Sequence, residues 1–140
     1  MSHEDLIARA RTVLRPRVLW GDNNAGDVAC ALESDSGAVY LGVCIDVSSG
    51  MGFCAEHAAI AAMVTAGESR IRRIVAVWGE DTVLPPCGRC REFMYQIDRG
   101  NYKNAQVVLG RDRSEPLSAL LPHPYDEVWD PPASEGAGAH

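Results

Sequence analysis

Apolar positions recur along this chain in two rhythms, and each change of rhythm marks an element. Leu6, Ile7, Ala10, Val13 and Leu14 fall on one stripe at helical spacing. Ser2 and Asp5 in front of them have the form of a capping box, so a helix is expected from Ser2 to about Leu14, ended by Arg15 and Pro16. Val18, Leu19 and Trp20 lead into the turn-rich run Gly21, Asp22, Asn23, Asn24. Strands are expected at residues 27–32 and 38–46, joined by a hairpin loop from Glu33 to Gly37. A second helix opens at Cys54, is apolar through Ala58, Ala59, Ile60, Ala61, Ala62, Met63 and Val64, and closes near Gly67.

Residues 71–78 form an apolar run of the kind that a buried strand needs. A loop through Asp81 reaches Pro85 and Pro86, which introduce a third helix with Phe93, Met94 and Ile97 on one face, ending near Gly100. A strand at 106–109 and a short helix at 117–121 follow. The order helix, strand, strand, helix, strand, helix, strand defines an α/β protein. Its mixed sheet is expected to be antiparallel at the start and then parallel through helical crossovers. Four strands are countable, and the helices at Cys54 and Cys87 would open from the same edge of the sheet. Residues 1–130 read as one domain, and 131–140, rich in Pro, Gly, Ala and Ser without periodicity, as a disordered tail.

The composition narrows the partners. The 140 residues carry 13 Lys and Arg against 19 Asp and Glu, a formal net charge of −6. That balance disfavours a nucleic acid as partner, since such a surface is usually basic. Arg70, Arg72 and Arg73 are the densest basic spot, and a solvated loop is expected there. The five cysteines are an odd number, and neither a secretory leader nor a long apolar span is expected beside them. Metal-binding thiols in such a chain point to the reducing cytoplasm and to no membrane partner.

The chemistry lies at two helix starts. Cys54-Ala55-Glu56-His57 opens one, and Pro86-Cys87-Gly88-Arg89-Cys90 opens the other. Helix N-termini favour the thiolate, the form that binds zinc, so Cys54, Cys87 and Cys90 make a three-thiolate site. Structural zinc takes four protein ligands, whereas catalytic zinc keeps three and a water. Glu56 is too close to Cys54 to join the ligands but is placed to move a proton beside them. Cys30, in an apolar strand, reads as a buried structural thiol.

These paired motifs resemble the cytidine deaminase superfamily, and the three cysteines resemble its small zinc nucleoside deaminases. Pro86-Cys87-Gly88-Arg89-Cys90-Arg91-Glu92 is similar to both cytidine and blasticidin-S deaminases, while Leu120-Leu121-Pro122-x-x-Tyr125-x-x-x-Trp129 is closer to the blasticidin-S type. The resemblance implies a cytidine-deaminase-like three-layer α/β fold, with a mixed five-stranded sheet and helices on both faces, assembled as a homotetramer. It implies hydrolytic deamination of a cytosine nucleoside or analogue: water activated by Zn²⁺ attacks C4, and Glu56 carries the proton to ring N3 and then to ammonia. The backbone at Ala55 would meet the ring edge. Asp46 falls near a ribose-binding Glu of the family and Cys44 near a ribose-contacting Asn. Gly26 stands where relatives carry a stacking Phe, and both departures weaken plain cytidine as substrate. His57, at a position where relatives usually carry Arg, is a candidate donor to a ligand sulfur. Tyr125 and Trp129 are candidates for a substrate wall, which the resemblance places in a neighbouring subunit's pocket, or for packing the C-terminal segment onto the core. The alternatives are a deaminase of another amino-heterocycle, or a structural zinc module closed by Cys44 or His57.

Overall fold

The first helix, α1 (His3–Arg11), begins with the capping box. Ser2 Oγ accepts the Asp5 amide at 3.1 Å, and the Asp5 carboxylate accepts the Ser2 amide at 2.9 Å. A computed structural model describes residues 1–132; the expected tail lies outside the described residues from position 133 on. The strands are β1 (Arg17–Val18), β2 (Asn24–Ser34), β3 (Val39–Asp46), β4 (Ile71–Trp78), β5 (Thr82–Leu84), β6 (Gln106–Gly110) and β7 (Arg113–Pro116). The other helices are α2 (Ala55–Thr65), α3 (Gly88–Ile97), α4 (Asn101–Asn104) and α5 (Leu117–Leu120).

All seven strands join one sheet, so the expectation of five is corrected. The additions are short: β1 has two residues, β5 three and β7 four, too few to show a period. The long strand β2 is central and pairs antiparallel with β3 on one side and β4 on the other. β3 and β4 therefore run the same way with β2 between them, and α2 crosses over it. β4 and β6 pair directly in parallel, linked through α3. The carboxyl ends of β3 and β4 consequently deliver α2 and α3 to one end of the sheet, where α/β sites lie.

Helices cover both faces, giving three layers. On one face, Leu6, Ile7 and Ala10 of α1 pack on Ala29, Ala31, Val75, Val77 and Val108. On the other, Ala59, Ile60 and Met63 of α2 and Met94 and Tyr95 of α3 pack on Cys30, Leu32, Ile74 and Val107. Cys30 is fully buried there, with its thiol pKa pushed up by burial and then by the charge of Glu56.

Three local expectations change. β2 starts at Asn24 rather than residue 27 and runs to Ser34, so the turn before β3 is shorter than expected. Arg72 and Arg73 lie in β4, not in a loop, and both pair with the buried Glu33, Arg73 at 2.8 Å. Gly26 lies inside β2, at an irregularity between Ala25 and Ala29, with φ +84°. A Cβ there would collide with the Arg15 carbonyl, so no aromatic ring fits at that position.

Candidate active site and metal centre

Cys54 and Cys87 are the N-cap residues of α2 and α3, both in extended conformation. The sheet thus aims two helix starts at one point. Cys54 Sγ lies 3.5 Å from Cys87 Sγ, and Cys87 Sγ lies 3.6 Å from Cys90 Sγ. Ligand atoms of Cys54, Cys90 and His57 all fall within 4.8 Å of one another. Three sulfurs around a tetrahedral zinc at about 2.3 Å stand about 3.8 Å apart, so this donor set fits the ion with little movement.

His57 stands one helical turn beyond Cys54. Its ring stacks on Phe93 at 4.3 Å with 4° between the planes, and its Nδ1 lies 3.4 Å from Cys90 Sγ. Burial, and then the nearby Arg89, hold its pKa below the ordinary imidazole value. A neutral ring keeps one N–H to offer the sulfur.

The thiols differ in exposure: Cys90 is buried, Cys54 half-buried and Cys87 exposed. Burial, followed by the charges of Glu56 and the other two cysteines, drives the Cys90 pKa far up. Burial and then Cys87 raise that of Cys54. Cys87 shifts the other way. Burial opposes its ionisation, but the Cys90 and Arg89 amides and both neighbouring thiols outweigh it, although no full cap hydrogen bond forms. A divalent cation among three sulfurs favours the thiolate at all of them.

Glu56, in the first turn of α2, is only 5% exposed. Burial raises its carboxyl pKa, opposed by its own backbone amide and by Cys90. It makes no ion pair among the described residues. A buried acid beside a metal-ligating cluster is suited to holding and passing a proton. Gly42 of β3 permits this placement, because a Cβ there would lie 2.7 Å from both the Ala55 carbonyl oxygen and Ala58 Cβ. Ala55 itself is fully buried.

Cys44 is buried and shares the α2 face of the sheet. Its Sγ accepts the Val28 amide at 3.3 Å, within the β2 irregularity, and lies 3.9 Å from the exposed Asp46 carboxylate. With the Asn24 amide turned to donate, its nitrogen meets Asp46 at 3.1 Å and Asp27 at 3.2 Å. The sequence places Asn24 in a turn and Asp27 at a strand start and assigns neither to the site, because their approach to Asp46 depends on the pairing of β2 with β3.

Tyr125 and Trp129 are 62% and 72% exposed, and their rings pack on each other edge to face at 5.7 Å. They do not fasten the C-terminal segment to the core. That role falls to Asp126, which accepts from Arg99 at 2.6 Å and from the Tyr95 hydroxyl at 3.1 Å. Neither ring makes a hydrogen bond or ring contact with the cysteine cluster among the described residues.

No family model matches the chain. It is 37% identical over 70 residues to a cytidine deaminase of Mycobacterium tuberculosis, covering 49% of this chain and 53% of that one. To a cytidine deaminase of Shewanella sediminis it is 30% identical over 100 residues, 70% of this chain and 31% of that one. The matches thus span about half, or less, of these curated relatives' length. Solved structures extend the likeness. The crystal structure of cytidine deaminase from Mycobacterium tuberculosis superposes with a TM-score of 0.73 at 28% identity, over 89% of this chain and 98% of that one. That from Burkholderia pseudomallei gives 0.72 at 26%, over 89% and 100%. The fold, the cysteine cluster and these likenesses together make the chain a member of the cytidine deaminase superfamily. No helix among the described residues is long and apolar enough to cross a membrane.

Proposed function

We propose that this protein is a zinc-dependent aminohydrolase of a cytosine nucleoside or nucleoside analogue. The observation that carries the reading is the buried Glu56 carboxylate beside three sulfurs gathered from two helix starts. Cys54, Cys87 and Cys90 would hold zinc. When bound, zinc supplies the Lewis acidity that makes water a nucleophile near neutral pH.

The chain's own residues do the rest. Glu56 takes a proton from the water that attacks C4, hands it to ring N3, and serves the departing ammonia in the same way. His57 donates to Cys90 and limits the negative charge on the sulfurs. The backbone around Ala55 and the cysteine turns meets the ring edge. Asp46 accepts hydrogen bonds from the sugar or its replacement. Cys44, already engaged by the Val28 amide, acts on substrate by positioning Asp46. Tyr125 and Trp129 add aromatic surface to a neighbouring subunit in a cytoplasmic homotetramer.

The experiment is ammonia release from cytidine, deoxycytidine and blasticidin S in parallel, with zinc-loaded protein. Cytidine turnover makes Asp46 part of a working ribose site. Turnover of blasticidin S alone places the enzyme with that type, as Cys44, Gly26 and the C-terminal motif favour. Silence on all three leaves another amino-heterocycle or no deamination.

A second reading has one observation in its favour. His57 Nδ1, 3.4 Å from Cys90 Sγ, is near enough to serve as a fourth donor and close a structural zinc site. X-ray absorption showing three sulfurs, one imidazole nitrogen and no exchangeable water would select it.

A further inference from the structure

On the sheet face opposite the cysteine cluster, a cavity of about 430 Å³ opens between the chain leaving α1 and strand β3. Val13, Leu41 and Val43 give it an apolar wall, and Thr12, Arg15 and Arg17 line its rim. Arg17 Nη1 reaches only the Arg15 carbonyl, at 3.3 Å, and neither guanidinium meets a carboxylate among the described residues. In a chain of net charge −6, two unpaired arginines on one rim leave a local excess of positive charge.

We propose that this cavity binds a small molecule carrying a carboxylate or phosphate head on an apolar body. The guanidinium fork matches the oxygens of either head, and the Val13, Leu41 and Val43 wall receives the body. The volume lies within the roughly 300–1,000 Å³ of small-molecule sites. The site does not depend on the deaminase reading, since none of its residues belongs to the cysteine cluster.

Its position gives it a route to that cluster. Gly42 lines the cavity, and on the far side of the strand the space its Cβ would take is filled by α2. One backbone thickness therefore separates a bound ligand from the helix whose first turn carries Glu56. Binding here is expected to change turnover at the other face without competing for substrate.

Isothermal titration calorimetry on the zinc-loaded full chain tests this, with inorganic phosphate, hexanoate and adenosine 5′-monophosphate as probes. The expected result is saturable one-to-one binding of hexanoate or the nucleotide, weakened about tenfold or more in Arg15→Ala/Arg17→Ala and partly restored by Lys at both positions. Hexanoate alone identifies a carboxylate ligand, and the nucleotide alone a phosphate one. Both arginines are exposed, so the variants are expected to fold, and circular dichroism checks it. Equal binding in the Ala variant would move the ligand elsewhere and overturn the proposal. So would no saturable binding at millimolar concentration, or inorganic phosphate binding as tightly as the larger probes. Arginine-dependent self-association detected by light scattering, without ligand binding, would give the face to a second copy of the chain and also overturn it.

Discussion

Gly42 and Ala55 meet backbone to backbone, with the space for a Gly42 Cβ only 2.7 Å from the Ala55 carbonyl oxygen. This approach seats α2 on β3 and so sets the height at which Glu56 leaves the helix. Gly42→Ala must push α2 away. Overpacking of this kind costs about 1–3 kcal/mol, read as a lower urea midpoint at unchanged m-value. Ammonia release is expected to fall as well, because the displaced segment is the first turn of α2. An unchanged midpoint would mean that the contact has room to give.

His57 offers a sharper test of the metal centre. As a donor to the Cys90 sulfur, it is dispensable for coordination but not for affinity. His57→Phe keeps a ring over Phe93 and removes the N–H. Zinc affinity is expected to fall about 10–100-fold, measured by chelator competition, with three sulfurs still seen by X-ray absorption. His57→Gln, which keeps a donor, is expected to recover part of the loss. Replacement of a nitrogen ligand by oxygen in the Phe variant would instead make His57 a ligand.

Asn101 ties the far end of α3 to the start of β4, at the end of the sheet away from the cysteines. Fully buried, its side chain accepts the Ile71 amide at 2.9 Å and donates to the Ser69 and Met94 carbonyls, each at 3.0 Å. Asn101→Ala leaves the buried Ile71 amide and Met94 carbonyl, and the partly buried Ser69 carbonyl, without their partner, at about 1–3 kcal/mol for each that stays unsatisfied. The melting temperature should drop sharply, while zinc stoichiometry in the folded fraction stays at the wild-type value. A change of less than about 0.5 kcal/mol, the scale of an ordinary surface substitution, would contradict the assignment.

Much of the site frame was legible because its signals are local. Ser2 and Asp5 announced α1, and the cysteine motifs announced where α2 and α3 begin. The apolar run at Ile71–Trp78 fixed β4 to the residue. What escaped depends on distant partners. β5 and β7 exist because β4 and β6 offer them an edge, and their own residues carry no period. Gly26 reads as a lost aromatic in sequence, yet its positive φ and the passing Arg15 backbone are visible only in three dimensions. Tyr125 and Trp129 were open between wall and core. Their exposure follows from polar anchors at Arg99 and Tyr95, which are about 30 positions away in the chain.

The central claim is that the buried Glu56 carboxylate moves the proton in a deamination supported by zinc. The most direct measurement is ammonia release by Glu56→Gln with its zinc content confirmed, against wild type on whichever cytosine compound the latter turns over. Gln keeps the shape and loses the base, so turnover is expected to fall by about 10²–10⁴-fold with zinc retained. Wild-type turnover by the zinc-loaded variant would contradict the account.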